Sequence, residues 1–168
     1  MEPKAKPSPS SLDEARAFLV ARRIAIVGLS RNEQDFSRMV MRELVKRGYD
    51  VVPVHPSMRE AEGRPCFARV QDVRPPVEAA LVMTAPSASA RVVQDCAEAG
   101  VRSVWLHRGG GAGAASAEAL SLCAARGIRV VQGLCPFMAL PGASFPHRLH
   151  GFLRRLGGRG GEAVRPAR

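Results

Sequence analysis

Five short apolar runs, each closed by glycine, proline or a polar residue, set the rhythm of this chain: Ile24-Ala-Ile-Val27, Val51-Val-Pro-Val54, Ala79-Ala-Leu-Val-Met83, Ser103-Val-Trp-Leu106 and Ile128-Arg-Val-Val131. Compact runs without alternation read as strands buried on both faces. Between them apolar positions recur at helical spacing. Met39, Val40, Leu44 and Val45 mark a helix from Ser37 to a natural stop at Gly48, and further helices are predicted over roughly 87–99 and 113–126. Ser11-Leu-Asp-Glu14 has the Ser-x-x-Glu spacing of a capping box and opens a short helix to about Arg22. Cys66-Phe67, followed by Val70 and Val73, predicts a short edge strand and turn. Strands alternating with helices of this length imply right-handed crossovers. The pattern therefore predicts an α/β, Rossmann-like three-layer domain with a mostly parallel open sheet. The polar, Pro-rich segment 1–10 is expected to be disordered, 11–156 to form the domain, and 157–168 a basic flexible tail.

Composition narrows the function classes. A chain of 168 residues supports one core, and with 46% apolar and 24% charged residues it is globular in type. No stretch approaches the ~18 consecutive apolar residues of a membrane span, and the N-terminus lacks the apolar region of a secretory signal, so the expected location is the cytoplasm. The net charge of +10 raises nucleic acid as a partner, but its distribution argues otherwise. Residues 148–168 hold six Arg against Glu162 alone, and no aromatic residue follows Phe152 to stack on bases. A solvated tail is favoured over specific nucleic-acid binding. His147 and His150 fall at i and i+3 on an expected basic amphipathic helix that packs Leu149, Phe152 and Leu153. Cys66, Cys96, Cys123 and Cys135 show no C-x-x-C pair and no His at ligand spacing, so no metal site is predicted; Cys96 and Cys123 read as small buried helix residues.

Open parallel sheets bind ligands outside the carboxyl ends of their strands. That rule directs attention to Gly28–Arg38, Pro53–Arg59, Thr84–Ser87, His107–Gly113 and Gly133–Phe137, where Ser30, Asn32, Ser37, Arg38, His55, Arg59 and His107 converge on one rim. The first loop leads into a helix N-terminus, a setting that favours phosphate. It lacks the later glycines of G-x-G-x-x-G and any Walker sequence, and Ser37 reads equally well as a plain N-cap. A dinucleotide site calls for an acidic residue at the carboxyl end of the second strand; Asp50 stands at the opposite end. The expected end reads Pro53-Val-His-Pro-Ser-Met-Arg59, neutral to basic, which disfavours NAD and suits a ligand with an additional phosphate.

Ile24-Ala-Ile-Val-Gly-Leu-Ser30, Phe36-Ser-Arg38, Arg47-Gly-Tyr-Asp-Val-Val-Pro-Val-His-Pro56, Glu62-Gly-Arg-Pro-Cys66 and Val104-Trp-Leu-His107 together resemble the small bacterial CoA-binding domain proteins. These are similar to the N-terminal CoA-binding domain of the succinyl-CoA synthetase α subunit. The resemblance spans about residues 12–138. It implies a domain that holds CoA along the strand ends, with Gly28, Ser30, Ser37 and Arg38 cradling phosphate, His55 and Pro56 bordering the nucleotide, and Thr84, Ala85 and Pro86 lining its other side. The chain departs from the family pattern at His55, where Asn is usual, and at His107, where Gln is common. Arg59 is added from its chemistry, since a guanidinium offers planar donors that match a 3′-phosphate. The synthetase needs a second domain with a phosphorylatable histidine, for which this chain has no room, and no catalytic set replaces it. A non-enzymatic binder of CoA or acyl-CoA is the leading expectation. An NAD(P)-linked enzyme on the same fold and an accessory nucleic-acid binder are the alternatives.

Overall fold

The structure, a computed structural model, describes residues 9–107 and 113–142. The tail, the His147/His150 segment and most of the Gly109–Gly113 run lie outside them. In chain order the elements are α1 (Leu12–Phe18), β1 (Arg23–Val27), α2 (Phe36–Lys46), β2 (Asp50–Val54), β3 (Glu60–Ala61), β4 (Arg64–Pro65), β5 (Ala79–Val82), α3 (Pro86–Glu98), β6 (Ser103–Leu106), α4 (Ala117–Ala125), β7 (Arg129–Gln132) and α5 (Pro136–Ala139). Five strands form one parallel sheet in the order β2-β1-β5-β6-β7, with the ends of each within one residue of the apolar run that predicts it.

Both faces of the sheet are covered. Ile24, Ile26, Leu81 and Trp105 pack with Phe18, Val40, Met41 and Leu44 of α1 and α2. Ala25, Val27, Val82 and Leu106 face the other way, onto Val93 and Cys96 of α3 and Ala119 and Cys123 of α4. Each fully buried Ile or Leu contributes about 1.5–3 kcal/mol, so this two-sided burial, more than helix propensity, holds the layers. Cys96 and Cys123 are the buried helix residues the sequence predicts; burial pushes their thiols up to about 12 and about 11, so neither is a nucleophile.

Four details differ from the sequence reading. The α2 helix begins at Phe36, because Asp35 and not Ser37 is its N-cap, accepting from the Ser37 amide at 2.8 Å. The edge strand expected at Cys66 is instead the small β3–β4 hairpin, after which Phe67 makes a single parallel bridge to Val54. After the fifth strand Cys135 is the N-cap of a short helix, α5, which the sequence reading did not single out and which Pro136 opens at its first position. Within the segment 1–10, expected to be disordered, Ser10 donates its amide to Gln132 at 2.9 Å and accepts from the Gln132 amide at 3.2 Å. Among the described residues no helix is long and apolar enough to cross a membrane.

Candidate functional site

The strand order places β2 on one side of β1 and β5 on the other, so the crevice between the carboxyl ends of β1 and β5 is the topological switch point. Gly28 closes β1 there with φ +90°. A Cβ on it would stand 2.8 Å from Thr84 Cγ2 and 3.0 Å from the Met83 carbonyl carbon. Glycine is therefore required by the end of β5 and by the backbone conformation, before any phosphate is considered.

Beyond Gly28 the loop is closed by its own polar groups. The Ser30 amide donates to Ser37 Oγ at 3.0 Å, the Asn32 amide to Ser30 Oγ at 3.1 Å, and the Gln34 amide to Asn32 Oδ1 at 3.0 Å. Ser37 is buried, and its hydroxyl donates to Asp35 Oδ1 at 2.6 Å. The first turn of α2 thus already carries a carboxylate. At α3 the arrangement is different: Ala85 is the N-cap with no side-chain bond, and Pro86 occupies the first turn. Ser89 Oγ donates to the Ala85 carbonyl at 3.0 Å and lies 3.0 Å from Thr84 Oγ1, fixing the entry to that helix.

Arg38 is 5% exposed, with Nε donating to the Ser30 carbonyl at 2.7 Å and Nη1 to Glu62 Oε1 at 3.1 Å. Its charge is paired inside the protein. The other side of the rim is more open. His55 Nδ1 accepts from the Ser57 amide at 3.1 Å, which leaves the ring proton on Nε2. Burial first, then the charges of Arg31 and Arg38, holds its pKa below the usual imidazole range, so the ring is neutral. Arg31 Nη2 donates to Ser57 Oγ, joining the first loop to the end of β2. Pro56 and Arg59 are exposed. Among the described residues neither Arg31 nor Arg59 has a carboxylate partner, whereas Asp50, at the far end of β2, pairs with Arg23 and Arg64.

His107, at the end of β6, is 7% exposed and stacks on Phe36 with ring centroids 4.9 Å apart. Phe137 meets Phe36 in a T-shaped contact, with ring centroids 5.6 Å apart. His107 Nδ1 is buried without a partner. Burial lowers the pKa of this ring, opposed by a hydrogen bond to the Leu134 backbone, so His107 is neutral and holds an unused acceptor. Cys66 and Cys135 have thiols raised chiefly by burial, which leaves them protonated.

The structure thus joins Gly28 with Thr84, and Ser30 with Ser37 and Arg38; it links His55 to the first loop through Ser57 and Arg31. Arg59 makes no side-chain bond to these groups. Sequence reasoning overlooked Arg31, Asp35, Phe36, Ser57, Glu62 and Phe137 as parts of the site. Arg31 was accessible by the criterion that selected Arg59; Glu62 carried no signal, because its partners Arg38 and Arg42 lie on another element.

A profile of the CoA binding domain matches residues 22–141. The chain belongs to that family. This CoA binding domain is 25% identical over 128 residues to the uncharacterised protein YneT of Bacillus subtilis, an alignment covering 76% of this chain and 92% of that one. It is similar to a hypothetical protein from Pyrococcus horikoshii, with a TM-score of 0.72 and 26% identity across 83% of this chain and 96% of that chain. It also resembles part of the dinucleotide forming acetyl-coenzyme A synthetase 1 of Ca. Korarchaeum cryptofilum, at a TM-score of 0.58 and 27% identity, covering 65% of this chain and 25% of that chain. The resemblance to CoA ligase domains read from five sequence blocks holds at the level of family and fold.

Proposed function

We propose that this CoA binding domain holds CoA or an acyl-CoA along the carboxyl rim of its sheet and carries out no reaction of its own. The observation that carries the reading is the charge at the end of β2: Arg59 stands there and Arg31 reaches it through Ser57, neither with a carboxylate partner among the described residues, where a ribose-binding site for NAD would present an acid. Two guanidiniums match the 3′-phosphate that distinguishes CoA. On this reading Gly28 to Ser30 underlie the pyrophosphate, Thr84, Ala85 and Pro86 border it at the uncapped start of α3, and His55 and Pro56 flank the nucleotide. His107, buried against Phe36 with its Nδ1 shielded from solvent, supports the rim through packing. Arg38 and Ser37 act through the loop they hold, since both are already engaged with protein groups.

Calorimetric titration with CoA and 3′-dephospho-CoA, alongside melting curves with CoA, NADP and a short DNA duplex, tests this. A ligand of the folded state raises the melting temperature by linkage, and CoA is expected to do so. A charge-assisted phosphate contact of ~1.5–3 kcal/mol corresponds to roughly 10- to 150-fold tighter binding of CoA than of dephospho-CoA. Stabilisation by NADP or DNA with no response to CoA would refute the reading.

A further inference from the structure

The hairpin turn Ala61-Glu62-Gly63-Arg64 contains the one non-glycine residue with positive φ among the described residues: Glu62, at +51°, followed by Gly63 at +70°. Both central residues of this two-residue turn are left-handed, the geometry of a type I′ turn, for which Asn-Gly is the favoured pair and glutamate a poor choice. A residue held against its backbone preference calls for a compensating interaction. Glu62 has one. Its Oε1 accepts from Arg38 Nη1 at 3.1 Å and from Arg42 Nη2 at 3.0 Å, and its Oε2 accepts from Arg42 Nε at 2.9 Å. The two arginines lie one turn apart on the same face of α2. Each also holds a carbonyl of the first loop: Arg38 Nε donates to Ser30 at 2.7 Å, and Arg42 Nη2 donates to Glu33 at 2.5 Å.

We propose that Glu62 is a positioning residue for the first loop: one carboxylate locks two guanidiniums, and these pin the loop at Ser30 and Glu33 in the form presented to the ligand. Without the carboxylate, the buried Arg38 is an unpaired charge, and turning toward solvent removes the donor from the Ser30 carbonyl. Arg42, half exposed, loses its bidentate partner and with it the geometry that reaches Glu33. Of the remaining bonds of the loop, those among Ser30, Asn32, Gln34 and Ser37 reach no further than the start of α2, and the bond from Arg31 to Ser57 ties it only to the exposed segment after β2, so the paired arginines are its anchor along α2. The consequence for CoA rests on the function proposed above; the anchoring itself does not.

Glu62→Gln and Glu62→Asn separate positioning from hairpin stability. Glutamine keeps the shape and the unfavourable turn residue; asparagine suits the turn and should stabilise the hairpin. Amide hydrogen exchange is read over residues 29–35 of the ligand-free full chain, and CoA affinity is read by calorimetry. Faster exchange over that loop in both variants, with CoA binding weakened about tenfold, is expected, the equivalent of one charge-assisted contact. Unchanged exchange in both variants overturns the proposal. So does wild-type affinity restored by Asn, which would make Glu62 a turn residue only, or an affinity that rises, which would make it merely a counter-charge to Arg38. If wild-type protein shows no CoA binding while exchange still quickens in the variants, the assignment of CoA fails and the anchoring by Glu62 stands.

Discussion

At Gly28 two constraints coincide, a left-handed backbone and a strand end against which no side chain fits. Glycine at that position belongs to the fold first and to the ligand second. Gly28→Ala is expected to destabilise the domain by roughly 2–4 kcal/mol, combining backbone strain with overpacking, as read by denaturant unfolding. Its motif was legible in the sequence; its reason was not, because Met83 and Thr84 come to it only through strand pairing. The two histidines of the rim make a second residue-scale statement. His107 and His55 have folded pKa values below that of an unfolded imidazole, about 6.5. Below pH 6.5 the unfolded chain therefore binds protons that the folded chain refuses. Stability from this source is complete above pH 6.5 and declines as the pH falls through and below it. The melting temperature should drop between pH 7 and pH 5, and His107→Gln should reduce the drop; an equal drop in the variant would assign it to other groups.

On the proposed function, binding rests on the loop after β1 and the segment after β2, which Arg31 and Ser57 tie together. That tie brings a second cation to the segment after β2 that carries Arg59. Arg31→Ala and Arg59→Ala should each reduce the preference for CoA over dephospho-CoA severalfold while leaving dephospho-CoA binding nearly unchanged, since that ligand lacks the 3′-phosphate. The four affinities per variant pair come from calorimetry. Equal losses for both ligands would move the contact to the pyrophosphate. Here the place after a strand that pointed to Arg59 applied equally to Arg31 after β1; what the sequence did not carry is that Arg31 reaches Ser57 after β2, a direction that side-chain bonds set. The start of α2 shows the same limit. The Asp35-Phe-Ser37 stretch offers two capping side chains two residues apart, and the hydrogen bond from the Ser37 amide to Asp35 decides between them.

Across the whole molecule, both edges of the sheet are covered. At β7, Ser10 pairs with Gln132, and Pro9 lies so close to Gly133 that a Cβ there would stand 2.7 Å from the Pro9 ring. At β2, the Phe67 amide donates to the Pro53 carbonyl at 3.0 Å, and the His55 amide to the Phe67 carbonyl at 2.9 Å. Pro53 is tolerated because β2 is an edge strand. Removal of residues 1–10 should uncover β7 and cost about 2–3 kcal/mol, for three lost hydrogen bonds to Gln132 and Val130, with a fall of several degrees in melting temperature; no change would show that this docking adds nothing. The strands, their parallel arrangement and the two-faced core follow from the sequence by itself, because uninterrupted apolar runs between helical periods can be buried in few other ways. Tertiary structure alone decided the polar connections: Glu62 with Arg38 and Arg42, Arg31 with Ser57, Asp35 over α2, and the stranded acceptor on His107. Apolar burial is set by a residue's type and period, whereas a polar side chain acquires its role from partners that distant segments bring within hydrogen-bonding reach.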